Sequence, residues 1–165
     1  MTIIDAPVTA TSTEVRLKVK RLAHCKALPS YATPGSAGLD LSNALDAQLT
    51  LKAGERCRIP VGIILEIPPG YEGQVRPRSG LADKAGISLT NCVGTIDSDY
   101  RGEVQVLVIN HGHKDVTFEP GERIAQLLIT PVPRVIIEEV DEVSDTAERG
   151  AGGFGSTGRL SGTAK

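Results

Sequence analysis

The sequence predicts an all-β domain of short strands, on the evidence of its apolar pattern, the spacing of its turns and its scarcity of helical segments. Apolar and polar residues alternate with a period of two along most of the chain, which is typical of strands buried on one face. Turn-forming pairs such as Ala53-Gly54, Pro69-Gly70 and Pro120-Gly121 interrupt this pattern at short intervals. Such spacing favours a β-sandwich, a jelly roll or a barrel over a fold built from βαβ units.

The first two predicted strands differ in how regular their pattern is. In the segment 15–19, apolar residues alternate with basic ones, which predicts a half-buried strand. The segment 59–67 has the same alternation, but Pro60 and Gly62 occupy its outward positions. Proline cannot donate to a strand ladder and glycine weakens one, so this second strand is predicted to lie at an edge or to carry a bulge.

Four more strands and one helix complete the predicted elements. Residues 104–109 are apolar apart from Gln105, which indicates a strand covered on both faces. Strands are also predicted at 116–118, 124–129 and 135–140. Only the segment Ser79–Ala85 favours a helix, with Ser79 as its N-cap and Gly86 as its end.

The 165 residues are close to one domain in length, and no linker or repeat divides their main part. We predict a single domain over 14–145, preceded by a flexible N-terminus, 1–13, and followed by a glycine-rich segment, 146–165. From Glu148 onward the chain contains six glycines and almost no apolar side chains. Such a segment cannot offset the entropy cost of its own ordering, so we expect it to be mobile when the protein is empty.

Composition argues against several kinds of partner and site. Lys and Arg number 18, Asp and Glu number 20, and the formal net charge is −2, so neither a nucleic acid nor a membrane is an expected partner. No apolar stretch approaches the roughly 20 residues of a membrane span, and the N-terminal residues do not resemble a secretory signal. Three widely spaced cysteines predict neither a disulfide scaffold nor a zinc site, and Cys92 is interpreted as a small core residue. A cytoplasmic protein is therefore expected.

The glycine-rich end contains parts that suit a nucleotide. Its GxGxxG pattern, which begins at Gly150, is not a dinucleotide fingerprint because no strand and helix frame it. Arg149 offers a planar fork for phosphate, and Phe154 offers a face on which a base can stack. Small residues, with the Ser156 and Thr157 hydroxyls, allow main-chain amides to close round an anion. A disordered tail and a lid over a nucleoside phosphate are both open at this point.

Two internal segments also carry candidate chemistry. At Arg78 and Ser79, a guanidinium and main-chain amides can hold phosphate, although helix capping alone also explains the serine. The polar turn between Gly94 and Gly102 contains Asp97 and Tyr100, and a lone aromatic ring there has no core to join. Weaker candidates are Asp40 and Gln126.

Five segments in order resemble the motifs of the homotrimeric dUTP diphosphatases (dUTPases), and they read SAGLD, RPRSGLA, GTIDSDYRGEV, GERIAQL and RGAGGFGSTG. They extend from Ser36 to Gly158, which is most of the chain. The resemblance implies an enzyme with a jelly-roll-like β-barrel fold that assembles as a homotrimer, each active site drawing on three chains. It also implies hydrolysis of dUTP to dUMP and diphosphate by attack of water on the α-phosphorus, which keeps uracil out of DNA and supplies dUMP for thymidylate synthesis.

The resemblance assigns roles around the nucleoside and the attacking water. Asp97 would be the catalytic residue that orients the water, and it would also contact the sugar 3′-hydroxyl. Tyr100 would pack under the deoxyribose and leave no room for a 2′-hydroxyl. The residues that would bind uracil or touch the substrate nearby are Asn91, Gly94, Thr95, Ile96 and Gln105. Thr95 departs from the family pattern, in which an aliphatic residue is more usual.

The resemblance also assigns roles around the triphosphate. Arg78, Ser79 and Gly80 would hold the α- and β-phosphates, while Asp40 and Gln126 would contact water ligands of a magnesium ion, the expected cofactor. In the lid, Arg149 would bind the γ-phosphate and Phe154 would stack on uracil. The lid residues that would also bind substrate are Gly155, Ser156 and Thr157.

Two alternatives share the fold that this resemblance implies. A dCTP deaminase would need a catalytic glutamate over C4 and a different phosphate motif from RSGLA. A nucleotide-binding sensor that signals without turnover would not need a water-orienting carboxylate, so Asp97 and the full C-terminal motif argue against it.

Overall fold

The alternating pattern forms an all-β structure in a computed structural model that describes residues 14–146 and 150–152. Within those ranges there are eleven strands and one helix. In chain order they are β1 (Lys18–Arg21), β2 (Ser30–Tyr31), β3 (Leu39–Ser42), β4 (Leu49–Leu51), β5 (Arg56–Glu66), β6 (Tyr71–Pro77), α1 (Ser79–Ala85), β7 (Ile87–Leu89), β8 (Gly94–Ile96), β9 (Glu103–Asn110), β10 (Val116–Phe118) and β11 (Arg123–Pro131). The predicted all-β class with one short helix is therefore confirmed.

The strands form three antiparallel sheets. A four-stranded sheet has the order β1-β5-β9-β7, a five-stranded sheet has the order β2-β3-β11-β6-β8, and β10 pairs with β4. Their inward side chains share one core, whose largest fully buried members include Phe118, Leu41, Ile59, Ile63 and Leu127. By contact density the chain divides into two compact units, 1–134 and 135–165, and all eleven strands belong to the first.

The bulge predicted in the second strand is confirmed, but the edge position is wrong. Strand β5 lies between β1 and β9, and its pairing with β9 shifts register between Pro60 and Ile64. Gly62 has φ 76°, and a Cβ there would lie 2.5 Å from the Cα of Cys25. The bulge thus absorbs the proline and the glycine locally, so the strand can still hold a central position.

Two other strand predictions need correction in their extent or exposure. Strand β1 begins at Lys18 and not at Val15, although side chains from 15 to 19 do alternate between half-buried and exposed. Strand β9 also alternates, because Val104, Val106 and Val108 are buried while Gln105 is exposed. It is therefore covered fully on one face only, and the apolar residues of its other face are half-buried in this single chain.

The predicted strand at 135–140 is wrong. The structure assigns no strand there, and Ile136 and Ile137 are 93% and 91% exposed. The apolar pattern suits a strand, but no strand of the described ranges pairs with it. Conversely, β6 was not predicted, because only Gly73 and Val75 of its seven residues are fully buried. Its long pairing with β11 fixes it as a strand.

The predicted helix is confirmed from Ser79 to Ala85, and its end is set by Gly86, which has φ 69°. The amide of Gly86 donates to the carbonyl of Ala82 over 3.0 Å, as expected for a left-handed C-terminal residue. The N-cap assignment is wrong: Arg78 occupies that position with an extended backbone, and Ser79 is the first helical residue. Capping therefore does not explain the serine.

Cysteine placement corrects one further expectation. Cys25 is buried and Cys57 is half-buried, but Cys92 is exposed and is not a core residue. All three are free thiols. The part of the chain that the structure describes contains no helix with the length and hydropathy that a bilayer crossing requires.

Candidate active site

The polar turn between β8 and β9 presents Asp97 to solvent. The main-chain amide of Tyr100 donates to the Asp97 carbonyl over 3.1 Å. Arg101 Nη1 donates to the carbonyls of Ser98 and Tyr100 over 2.7 and 2.9 Å. These bonds use main-chain atoms and the Arg101 guanidinium, so the shape of the turn does not depend on the Asp97 carboxylate. Within residues 14–146 and 150–152, no side chain is paired with that carboxylate.

A cavity of about 300 Å³ lies at this turn. The residues that line it are Arg58, Asn91, Thr95, Ile96, Asp97, Tyr100, Glu103, Val104, Gln105 and Leu107. We call it the nucleoside cavity, because it brings together most of the residues predicted to contact the nucleoside. Gly94 lies at its edge: a Cβ there would be 3.0 Å from the Asn91 amide nitrogen, so a glycine lets that amide approach the main chain.

A second cavity of about 320 Å³, the phosphate cavity, lies beside the start of α1. The residues that line it are Ala32, Ser36, Ala37, Gly38, Asp40, Arg78, Ser79, Gly80 and Gln126. It therefore contains all five residues predicted to contact the α- and β-phosphates or the magnesium waters.

One carboxylate orients two guanidinium groups at the phosphate cavity. Arg78 Nε lies 3.1 Å from Asp40 Oδ1, and Arg123 Nη1 lies 2.8 Å from Asp40 Oδ2. Arg78 also donates to the Arg123 carbonyl over 3.1 Å. Two arginines against one carboxylate leave a net positive charge, which suits a polyanion. Arg123 was not predicted, because nothing in the local sequence links it to Asp40, 83 positions earlier.

Gln126 is held at the same cavity by a neighbouring strand and by a glycine. Its Nε2 donates to the Pro77 carbonyl over 2.9 Å, which satisfies the partner that a half-buried amide requires. A Cβ on Gly38 would be 2.5 Å from Gln126 Oε1, so only glycine leaves room for the amide. The amide nitrogen is thus engaged, and the oxygen remains as an acceptor beside Asp40.

The oxygen atoms at the phosphate cavity suit a magnesium ion that is coordinated mainly by water and substrate phosphates. Mg²⁺ prefers oxygen, keeps several waters and commonly binds through substrate phosphates. Asp40 and Gln126 supply oxygen acceptors for such waters, whereas no group of three or more His, Cys, Asp and Glu side chains that could cage an ion occurs in the described part of the chain.

The predicted site residues therefore divide between two cavities. The nucleoside and phosphate cavities share no lining residue among those described. A third cavity, of about 760 Å³, is lined by residues such as Val15, Leu17 and Ile129 and contains none of the predicted site residues. The predicted lid residues, Arg149, Phe154, Gly155, Ser156 and Thr157, lie outside the described residues.

The sequence of this chain matches a known protein family over most of its length. Residues 25–158 match the family described as dUTPase. The chain belongs to the dUTPase family. This dUTPase-family chain is 55% identical over 152 residues to the deoxyuridine 5′-triphosphate nucleotidohydrolase of Rhizobium rhizogenes, covering 90% of this chain and 97% of the relative. It is 54% identical over 145 residues to the protein of that name from Syntrophotalea carbinolica, with coverages of 87% and 97%.

Solved dUTPase structures share the fold. The Staphylococcus bacteriophage 80alpha dUTPase, solved with dUPNHPP, matches this dUTPase-family chain with a TM-score of 0.79 and 27% identity. The match covers 87% of this chain and 99% of the phage protein. The jelly-roll β fold implied by the five motifs is accordingly the fold of this chain.

Proposed function

We propose that this chain hydrolyses dUTP to dUMP and diphosphate, with water attacking the α-phosphorus. The observation that carries the proposal is the nucleoside cavity, in which a carboxylate, an amide and an aromatic ring stand together in a chain of the dUTPase family. The curated relatives are named for the hydrolysis of deoxyuridine triphosphate, and a related structure was solved with an analogue of that nucleotide.

Asp97 is the catalytic residue in this proposal. Its exposed carboxylate can accept a proton from a water molecule as that water attacks phosphorus. A carboxylate that does not maintain the turn is free to orient this water and to accept a hydrogen bond from the sugar 3′-hydroxyl.

The nucleoside cavity provides the selection of the base and the sugar. Asn91 and the main chain from Gly94 through Thr95 to Ile96 bind uracil, because amide and peptide groups can match its donors and acceptors. Tyr100 packs under the deoxyribose. Gln105, which lines the same cavity, is a further substrate contact.

The phosphate cavity holds the triphosphate. Arg78, Ser79 and Gly80 bind the α- and β-phosphates, and the Asp40 carboxylate keeps the Arg78 guanidinium in place. When bound, magnesium neutralises phosphate charge, and Asp40 and Gln126 would hold it through its water ligands. From the C-terminal segment, Arg149 binds the γ-phosphate and Phe154 stacks on uracil, with Gly155, Ser156 and Thr157 closing round the substrate.

The proposed assembly is a homotrimer in which each site combines different chains. The separation of the two cavities on one chain supports it, since a nucleotide needs both. The half-buried apolar side chains on the outer face of β9 are also covered more fully by an oligomer. The chain is proposed to comprise an N-terminal segment (1–13), a single domain (14–145) and a C-terminal lid (146–165). A cytoplasmic location is also proposed, because the three free thiols fit a reducing compartment.

An assay of diphosphate release tests the proposed function. Purified protein is given dUTP, dTTP, dCTP and UTP, each with magnesium and with a chelator. We expect release from dUTP at a kcat/KM at least 100-fold above that for the other three, and a marked loss with the chelator. Ammonia release from dCTP, or binding of dUTP without any diphosphate release, would contradict the proposal.

A further inference from the structure

We propose that Gly102 and Glu103 are positioning residues that fix the Tyr100 ring and thereby set the preference for deoxyribose over ribose. The inference rests on the proposed function, in which that ring packs under the sugar. Tyr100 is 47% exposed, so the hydrophobic core does not hold it. The ring instead contacts Gly102 and Glu103, the two residues that follow Arg101.

Gly102 provides the space into which the ring folds. A Cβ on Gly102 would overlap the Tyr100 hydroxyl and would lie 2.9 Å from its Cε2 atom. The ring therefore lies directly over the main chain of residue 102, and any side chain there displaces it. The φ of Gly102 is not in the left-handed region. Alanine is thus acceptable to the backbone at this position, and its effect is confined to the ring.

The main chain of Glu103 fixes the end of the ring. The Tyr100 hydroxyl donates to the Glu103 carbonyl over 3.2 Å. This hydrogen bond closes the turn on itself, so the ring follows any movement of the first residue of β9.

The side chain of Glu103 ties that same residue to the centre of the four-stranded sheet. Its Oε1 accepts a hydrogen bond from the amide of Gly62 over 2.9 Å and lies 2.7 Å from His24 Nε2. Gly62 is one of the buried residues of the β5 bulge, and the Glu103 side chain is only 22% exposed. The carboxylate thus bonds to β5 at the point where the register of the β5–β9 pairing shifts. Because the Tyr100 hydroxyl bonds to the main chain of the same glutamate, the ring is linked to β5 through Glu103.

A ring held in this way can discriminate a single hydroxyl. Steric exclusion of a 2′-hydroxyl requires the ring to keep its position within a fraction of an ångström. A misplacement of about 1 Å can change a rate by about 100-fold. Loosening the ring should therefore raise the hydrolysis of UTP relative to dUTP, whereas general damage to the site lowers both.

The experiment measures kcat/KM for dUTP and UTP in Gly102→Ala, Glu103→Ala, Glu103→Gln and Tyr100→Phe. We expect the UTP/dUTP ratio to rise at least about tenfold in Gly102→Ala and Glu103→Ala, and about threefold in Tyr100→Phe. Glu103→Gln retains the acceptor oxygen and should stay within about twofold of the parent ratio. Matched controls are Gly35→Ala, where a Cβ meets nothing within 4 Å, and Glu66→Gln, an exposed glutamate on β5.

Equal losses for both nucleotides, or an unchanged ratio in Glu103→Ala, would overturn the inference. Circular dichroism and thermal unfolding identify any variant that does not fold, and if Gly102→Ala fails, the contrast between Glu103→Ala and Glu103→Gln decides. Tyr100→Ala distinguishes a failure of the proposed role of the ring from a failure of its positioning by Gly102 and Glu103. If its ratio stays at the parent value, the proposed role of the ring is wrong; if its ratio rises while those of Gly102→Ala and Glu103→Ala do not, only the positioning inference is wrong.

Discussion

At the scale of single residues, the Asp97 carboxylate can be changed without disturbing its surroundings. The turn is held by main-chain bonds and by Arg101, and the carboxylate contributes to none of them. In Asp97→Asn we therefore expect kcat for dUTP to fall at least about 100-fold, because an amide cannot accept the proton of the attacking water. Binding of the analogue dUPNHPP, measured by calorimetry, should stay within about threefold of the parent value.

The matched control for that substitution is Asp99→Asn, which changes a second exposed aspartate of the same turn. Its kcat should remain within about twofold of the parent. A loss of analogue binding in proportion to the loss of kcat in Asp97→Asn, or an equal loss in the two variants, would contradict the assignment of Asp97 as the base.

The three thiols offer a second prediction, which concerns reactivity. Burial raises the pKa of Cys57, and the charge of Glu55 contributes in the same direction. Because the thiolate is the reactive form, Cys57 should react with iodoacetamide at pH 8 more slowly than exposed Cys92, and buried Cys25 should react last. As pH rises through the ordinary thiol range, the native state resists ionisation of Cys57, so this group destabilises the fold at high pH. Peptide mass mapping over time gives the order, and equal rates at Cys57 and Cys92 would contradict it.

The sequence and its resemblance to the family motifs could predict which residues line the nucleoside cavity, but not the residues that support them. The members of the nucleoside cavity from Asn91 to Gln105 are neighbours in the chain, so one motif and one turn indicate them together. The pairings of Asp40 with Arg123 and of His24 with Glu103 join residues 83 and 79 positions apart. The pairing of β3 with β11 brings Asp40 to Arg123, and the turn after β1 brings His24 to Glu103; no local pattern encodes either approach. Cys92 is exposed because it lies in the bend between β7 and β8 and not in a strand, which its residue type alone does not reveal.

At the scale of elements, two buried asparagines hold the ends of strands together. Asn110, at the end of β9, is fully buried and donates from Nδ2 to the carbonyls of Leu51 and Lys114 over 3.0 and 2.9 Å. Its Oδ1 accepts from the Gly112 amide over 2.9 Å. Asn43, also fully buried, bonds in a similar way to Glu119 and Gly121. Neither residue was singled out from the sequence, because each bonds to a main-chain carbonyl far along the chain, Leu51 for Asn110 and Glu119 for Asn43.

Substitution of Asn110 should therefore lower the free energy of unfolding substantially. Asn110→Ala leaves two carbonyls and one amide without their partner, and we expect the free energy of unfolding to fall by about 3 kcal/mol. Urea unfolding at a fixed protomer concentration measures it. The control is Gln48→Ala, which removes an exposed hydrogen bond to Glu119 and should cost no more than about 0.5 kcal/mol. Equal losses in the two variants would show that the buried amide is not a support.

Strands that depend on pairing with neighbouring strands were harder to predict than strands with a strong apolar pattern of their own. Residues 124–129 are apolar apart from Gln126 and lie within β11, as predicted. The central position of β5 depends on the bulge at Gly62, and β6 depends on pairing with β11 and β8, so neither could be derived from one segment. The segment 135–140 shows the reverse case, in which a suitable pattern finds no partner strand among the described residues.

At the scale of the whole molecule, the fold class was predictable because turn spacing and period-two alternation extend along the chain. The homotrimer stays a prediction from the motif resemblance, since an assembly depends on surfaces that a single sequence pattern does not distinguish from ordinary exposure. The exposed apolar side chains from Val135 to Val143 illustrate this, because burial against another chain and exposure to water have the same local sequence. The mass in solution is therefore an essential measurement for any variant of the C-terminal segment.

Truncation within the proposed lid, residues 146–165, can be followed by mass and turnover together. A chain that ends at Glu148 lacks Arg149 and Phe154, so it loses the proposed donors to the γ-phosphate and the stacking ring on uracil. We expect kcat/KM for dUTP to fall by several tens-fold or more, on the scale of about 2–4 kcal/mol for oriented donors. Light scattering should still give three times the mass of one chain. A chain that ends at Gly158 retains the whole lid motif and is the matched control, with kcat/KM within about twofold of the parent. Full activity in the shorter chain would contradict the lid, and a monomeric mass in the control would contradict the trimer.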